Sequence, residues 1–295
     1  MTGALTAGTT VRHDEGWLDT KDGLKLYWQR WLPETPAAVL LLVHGLGEHS
    51  GRYAHVAQWF AERGYACWAI DYRGHGRSEG VRVHVDRFDQ FVEDVAILRG
   101  LAAERYPALP RFLVGHSQGG LVVLRSLLAD PAGLAGAIVS SPLLGIHASA
   151  RPTALLVFVA RVLSRVAPSL RLANNVNGGW LSHDPAVAAA YVRDPLVSHK
   201  VSARWYWSLL EAIADTHARA GSLRLPVLVM TSGEDRLVDP DAAERWARAA
   251  PANLIEHVRW SGYYHEMFNE PEREPVFQRM QRWLQTRPAP AAGAP

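Results

Sequence analysis

The stretch Arg111-Phe112-Leu113-Val114-Gly115-His116-Ser117-Gln118-Gly119-Gly120, followed by Leu121-Val122-Val123-Leu124, constrains this chain more than any other. A short apolar segment runs into Gly-x-Ser-x-Gly and out into a helical pattern, the strand–turn–helix context that a nucleophile elbow requires. Glycines two before and two after Ser117 keep Cβ atoms out of a strained turn, so the serine hydroxyl can project from the top of a sheet. The helix that begins behind it points backbone N–H groups at any oxyanion formed there. Ser117 is therefore the expected nucleophile.

The rest of the chain has the rhythm that such an elbow needs. Glu15–Asp19 and Lys25–Trp31 flank Lys21-Asp22-Gly23 and predict a hairpin. Ala38–His44 is a continuous apolar run, as a parallel strand covered on both faces would be. A helix is expected over Tyr53–Arg63, a strand over Tyr65–Asp71 and a helix over Phe88–Tyr106. The strand Arg111–Val114 and the helix Leu121–Ala129 bracket the elbow, and Gly136–Ser141 and Pro226–Ser232 are further strands. Strands alternating with helices at this spacing predict an α/β fold, a mostly parallel sheet with crossover helices.

The rhythm breaks between Pro142 and Arg224, where helical stretches (Thr153–Val166, Pro185–Arg193, Val201–Ala220) replace turn-flanked strands. The expected organisation is a core domain of residues 1–141 and 225–286, a helical cap of residues 142–224 above the nucleophile, and a disordered tail over 287–295. In the cap, Thr153–Val166 is apolar apart from Arg161 and Arg165, four apart on one stripe. Such a helix packs on the domain below, or presents an outer apolar face to a lipid surface with the arginines near headgroups; both readings stand. Leu155, Phe158, Val159 and Trp205 are the residues expected to contribute to a substrate pocket.

A serine hydroxyl is a weak nucleophile until a base takes its proton, and the base needs an orienting carboxylate. The chain order for this elbow is Ser, then Asp or Glu, then His. The carboxylate should follow a strand after the cap, and Thr231-Ser232-Gly233-Glu234-Asp235 supplies that turn, with Asp235 preferred over Glu234, Asp239 and Asp241. The histidine should follow one more strand, Asn253–Trp260, and His265 stands in the loop behind it; His257 lies inside the strand. For the oxyanion, the expected donors are the backbone N–H groups of Gln118 and of Leu46, the latter in Val43-His44-Gly45-Leu46-Gly47-Glu48-His49. Asp71-Tyr72-Arg73-Gly74-His75-Gly76-Arg77-Ser78 gathers chemical-looking residues, but a tight loop tied down by polar side chains accounts for it.

Composition excludes several partners. The 295 residues carry a net charge of +2 without a long basic run, which speaks against nucleic acid. At 48% hydrophobic residues with eleven Trp, a sizeable core can be buried. No Cys/His cluster has zinc spacing, and no Gly-x-Gly-x-x-Gly opens a helix, so neither a metal nor a nucleotide cofactor is expected. Cys67, the single cysteine, sits in an apolar run and reads as a buried structural thiol. No signal-peptide layout or 20-residue apolar span is present, pointing to a soluble, cytoplasmic chain, with peripheral contact to a membrane through the cap. The Ala and Arg richness is that of a GC-rich bacterial genome.

With these residues in hand, the chain resembles the monoacylglycerol lipase and lysophospholipase branch of the α/β-hydrolases, grouped with serine aminopeptidase-like hydrolases. The resemblance runs from about Asp19 to Leu284. It is carried by His44-Gly45-Leu46-Gly47-Glu48-His49-Ser50-Gly51-Arg52-Tyr53, Asp71–Gly80, Gly115–Gly120, Asp194-Pro195-Leu196-Val197, Gly233–Val238 and Tyr264-His265-Glu266. It implies the same triad and oxyanion donors, a cap lining an acyl tunnel, and a small lipid ester, a monoacylglycerol above all, as substrate. Short-chain esterase, lysophospholipase, proline-type aminopeptidase and a triad-bearing receptor are the alternatives. Elbows of that branch commonly read Gly-His-Ser-Met-Gly-Gly; here the fourth residue is Gln118, which leaves the amide N–H unchanged and alters the polarity beside the pocket.

Overall fold

A computed structural model describes residues 10–174 and 176–287. The chain opens with an antiparallel hairpin, β1 (Arg12–Asp19) and β2 (Lys25–Leu32), turned where expected. It continues through β3 (Ala38–Val43), α1 (Ala54–Ala61), β4 (Tyr65–Ile70), α2 (Asp89–Arg105), β5 (Arg111–His116), α3 (Gln118–Ala129) and β6 (Gly136–Ser140). Before the next strand of the sheet come α4 (Ala154–Val166), β7 (Arg171–Ala173), α5 (Pro185–Arg193), β8 (Lys200–Ser202) and α6 (Ala203–Ala218). β9 (Val227–Ser232), α7 (Pro240–Ala249), β10 (Ile255–Trp260) and α8 (Glu274–Gln285) follow. Apart from Arg287 itself, the expected tail lies outside the described residues.

The main sheet has the order β1-β2-β4-β3-β5-β6-β9-β10. From β4 onward the pairs are parallel, and the antiparallel hairpin joins along β4. Every residue of β3, β4 and β9 is buried, because helices cover both faces. The period of two still sorts the side chains: Val39, Leu41 and Val43 enter one core, Leu40 and Leu42 the other. α2, α3 and α7 close the first core with Phe91, Leu121 and Trp246, and α1 and α8 close the second with Phe60, Phe277 and Trp283. Each such side chain contributes about 1.5–3 kcal/mol by leaving water. The result is a rigid platform from which the loops after β3, β5, β9 and β10 rise.

Two features depart from the sequence reading. β7 and β8 form a short antiparallel pair within 142–224, where no strand was expected. β7 is three exposed residues, Arg171-Leu172-Ala173, and carries no apolar alternation to detect. The second is α6, assigned wholly to the cap. β6 and β9 are parallel neighbours, so the chain must return to the opposite end of the sheet to start β9, and α6, packed on α3, makes that crossover. α6 accordingly sends Trp205, Leu209 and Ala212 into the first core while forming part of the wall above the elbow.

Candidate active site

β5 delivers the chain directly to Ser117, which takes φ 53°, ψ −119°, before α3 starts at Gln118. A side chain rarely adopts this left-handed backbone, and bonds on both sides hold it: Ser117 N–H donates to the Ser140 carbonyl (2.9 Å), and its own carbonyl accepts from Leu143 N–H (2.9 Å). The flanking glycines are sterically required. A Cβ on Gly119 would strike the carbonyls of Val43 and His44, and one on Gly115 would strike the Gly119 carbonyl. Because Gln118, Gly119 and Gly120 carry no apolar side chain, α3 begins three residues before the apolar pattern predicts.

His265 comes from the loop after β10. Its Nε2 lies 3.0 Å from Ser117 Oγ and its Nδ1 2.7 Å from Asp235 Oδ2, in the loop after β9. Ser141 Oγ, donating to the His265 carbonyl at 3.0 Å, anchors the loop. Asp235 Oδ1 accepts the backbone N–H groups of Leu237 and Val238, each at 2.9 Å. Of the other carboxylates weighed for this role, Glu234 is exposed, Asp239 caps α7 and Asp241 pairs with Arg259.

Electrostatics separate His265 from the other histidines nearby. Burial acts to lower its pKa, but the charge and hydrogen bond of Asp235, with Glu266 and Glu48 behind, outweigh this and raise it above the ordinary 6.5. Burial also acts to raise Asp235, and the His265 ring and the two backbone N–H groups reverse it, holding that carboxyl below its usual range. His44, His75 and His116 are buried with no carboxylate hydrogen-bonded to the ring, and desolvation outweighs the pull of the carboxylates nearby and pushes them down to about 4, 3 and 4. They are neutral near pH 7, whereas His265 is poised to accept a proton. His257 pairs with Thr231 between strands.

The loop after β3 approaches Ser117 closely: a Cβ on Gly45 would lie 3.3 Å from that of Ser117. Among the described residues, neither the Leu46 N–H nor the Gln118 N–H is hydrogen-bonded to a protein acceptor. His44 Nδ1–H donates to the Gly45 carbonyl (2.8 Å), and Gly45 N–H donates to Glu48 Oε1 (2.6 Å). Glu48 also accepts from the Tyr53 hydroxyl (2.6 Å) and from Arg52, which reaches across to Glu266 with two bonds of 2.8 Å. Burial works to raise Glu48 and the Arg52 guanidinium overcomes it, so the carboxylate stays charged.

These groups open on a cavity of about 580 Å³. Its lining includes the Glu48–Arg52–Glu266 cluster and, elsewhere, Ser149, Arg151, Thr153, Asn174 and Ser202, but most of its surface is apolar, from residues such as Leu143, Leu156, Ala160, Leu209 and Val238. The sequence reading passed over Glu48, Arg52 and Glu266 as site residues, although all three stand inside motifs that it quoted. Of the four expected pocket residues, Trp205 lines the cavity, while Leu155, Phe158 and Val159 do not. The correction is one of rotation: α4 turns Leu156 and Ala160 inward, and Leu155 and Phe158 are 70% and 62% exposed. None of Asp71–Ser78 lines the cavity; Asp71 Oδ1 and Oδ2 tie Ser50 and Arg77 N–H groups, and Arg73 is paired with Asp94 and Asp22. Among the described residues no group of three or more His, Cys, Asp or Glu is arranged to hold a metal ion.

A left-handed serine between strand and helix, a histidine within reach of it, a carboxylate behind and two free amides in front define a serine hydrolase. The family model described as serine aminopeptidase, S33, matches residues 34–272, and the chain belongs to that family. A monoacylglycerol lipase of Mycolicibacterium smegmatis is 39% identical over 265 residues, 89% of this chain and 93% of that one. Phospholipase YtpA of Bacillus subtilis is 34% identical over 84% of this chain and 95% of its own length. Among solved structures, the monoacylglycerol lipase of Paleococcus ferrophilus superposes with a TM-score of 0.79 at 31% identity, covering 88% of this chain and 98% of that one. The expected α/β-hydrolase fold is the fold of this chain.

Proposed function

We propose that the chain hydrolyses single-chain lipid esters, monoacylglycerols first, through an acyl-enzyme. In this reading Ser117 Oγ attacks the ester carbonyl as His265 Nε2 takes its proton, with Asp235 holding the imidazole in tautomer and orientation. The Leu46 and Gln118 N–H groups receive the oxyanion. His265 then protonates the leaving alcohol, and water, activated by the same histidine, releases the fatty acid. The observation that carries the reading is the joining of the Ser117–His265–Asp235 array to one mostly apolar cavity, with the charged Glu48–Arg52–Glu266 cluster in its wall. An acyl chain suits the apolar walls, and the Glu48–Arg52–Glu266 cluster offers partners to a glycerol hydroxyl. An aminopeptidase needs a carboxylate free to hold an amine; Glu48 and Glu266 are both engaged by Arg52, and Glu211 and Asp215 stand outside the cavity lining.

The substrate comes from a lipid surface in this reading. Leu155, Phe158, Val162 and Val166 form an exposed apolar stripe on α4, and Leu156 and Leu172, 50% and 40% exposed, continue it to the cavity lining. Residues 142–224 carry nine Arg or Lys against four Asp or Glu, which favours an anionic surface. The enzyme would work from the cytoplasm; no described helix is long and apolar enough to cross a membrane. A lysophospholipid is the second substrate class, favoured by the similarity to a phospholipase. Fatty-acid release from monoacylglycerols of increasing chain length, beside a short p-nitrophenyl ester and with Ser117→Ala as control, tests the reading. Turnover favouring the longer monoacylglycerols and lost in the variant is expected. Cleavage of the short ester alone would overturn the lipid assignment.

A further inference from the structure

We infer that Gln118 acts through its side chain as a positioning residue: it sets the peptide that presents the Leu46 N–H and ties that peptide to Trp205 in the cavity wall. The inference rests on the oxyanion reading above and adds a second role to a residue placed there for its backbone alone. Gln118 is fully buried, and its amide bridges two rings. Its Nε2 is 2.9 Å from the Tyr72 hydroxyl, and its Oε1 is 2.8 Å from Trp205 Nε1.

The direction of every bond in this chain is forced. An indole N–H can only donate, so the amide must turn its oxygen to Trp205 and its NH₂ to Tyr72. The Tyr72 oxygen then accepts, and its single proton goes to the carbonyls of Gly45 and His44, at 2.9 and 3.0 Å. His44 Nδ1–H adds a second donor to the Gly45 carbonyl. The Gly45 C=O and the Leu46 N–H are opposite ends of one planar trans peptide. Two donors fixing the carbonyl therefore fix the direction of the N–H, pointing it away from Tyr72. Donors aligned head to tail in a dry interior also polarise one another, which makes that N–H a better partner for an oxyanion.

The consequence is a link between what fills the cavity and what stabilises the transition state. An acyl chain against Trp205 presses on a residue whose indole is bonded, through Gln118 and Tyr72, to the peptide beside Ser117. Methionine at position 118 would keep the backbone donor but break both side-chain bonds. It would also leave the Trp205 N–H buried without an acceptor.

Steady-state kinetics on a soluble p-nitrophenyl ester and on a monoacylglycerol test this in Gln118→Met, Tyr72→Phe, Trp205→Phe and the Gln118→Met/Tyr72→Phe pair. Misaiming one oxyanion donor, rather than deleting it, should lower kcat about tenfold in Gln118→Met and Tyr72→Phe, with KM changed less than about twofold. The pair should lose no more than the worse single variant, because both substitutions cut one chain. Affinity for a trifluoromethyl ketone, whose adduct with Ser117 carries an oxyanion, should fall by the same factor as kcat/KM. Should Gln118→Met fail to fold, Tyr72→Phe, which removes one hydroxyl outside the cavity lining, carries the test by the same criteria. Unchanged kcat, a loss confined to KM, or losses that multiply in the pair would overturn the inference. If the wild-type chain turned over neither ester, the proposed function would fall, and the ketone affinities alone would decide the role of Gln118.

Discussion

His265 is one of thirteen histidines, and its neighbours make it a base. Its pKa stands above 6.5 because the carboxylates around it favour the imidazolium. A base must be neutral to act, so kcat/KM should rise with pH through a midpoint above 6.5, measured on a soluble ester. Asp235→Asn removes the charge that raises that pKa. The midpoint should move down, while kcat falls about 10³–10⁴-fold as the tautomer is lost. An unmoved midpoint would place the shift elsewhere, on Glu266 or Glu48. Ser117, Asp235 and His265 could be singled out in the sequence because each sits in a loop just behind a strand, and that local context is written in neighbouring residues. Glu48, Arg52 and Glu266 were not assigned to the site, because Glu266 lies more than two hundred residues from the neighbouring Glu48 and Arg52 and only the folded chain brings it to them.

At the level of elements, the sheet was legible because parallel strands are continuous apolar runs and glycines mark their ends. α4 was legible as a helix and illegible as a surface. The Arg161–Arg165 stripe is too narrow a mark to say which of the many apolar residues face the cavity, and Leu155, Phe158 and Val159 were taken for lining that Leu156 and Ala160 provide. The exposed stripe has its own prediction. Leu155→Glu with Phe158→Glu should weaken binding to anionic vesicles about tenfold or more, given roughly 1.5–3 kcal/mol for each buried apolar side chain. Turnover of a soluble short ester should not change, since neither residue lines the cavity. Co-sedimentation with vesicles and the ester assay measure the two effects separately, and equal loss in both would show that the stripe serves folding instead.

The whole molecule stores an acid sensitivity around its site. His44, His75 and His116 are buried with pKa values of about 4, 3 and 4, whereas the unfolded chain binds these protons near 6.5. Between those values the unfolded state holds more protons, so stability falls as pH falls, at up to about 1.4 kcal/mol per pH unit for each histidine. His265, raised instead of lowered, opposes this with a contribution that is present below 6.5 and lost as pH rises through its folded value. The net expectation is a thermal midpoint that drops steeply from pH 6.5 to 4, with a shallower slope in His75→Asn; a flat profile would contradict the buried, neutral state of the three rings. The double role of α6 has a consequence for motion. This helix is both the crossover that lets β9 join the sheet and a wall of the cavity, so residues 142–224 cannot swing as one hinged plate without tearing a core helix from its packing. Farther along, Ser198 N–H is bonded to the Gly47 carbonyl and His49 to Asp194, which pins the stretch before β8 as well. α4 itself is held chiefly by packing on α6 and by Arg161 stacked on Trp207. Any opening over the site would therefore have to run along the seam between α4 and α6, not about a hinge that carries residues 142–224 as a whole.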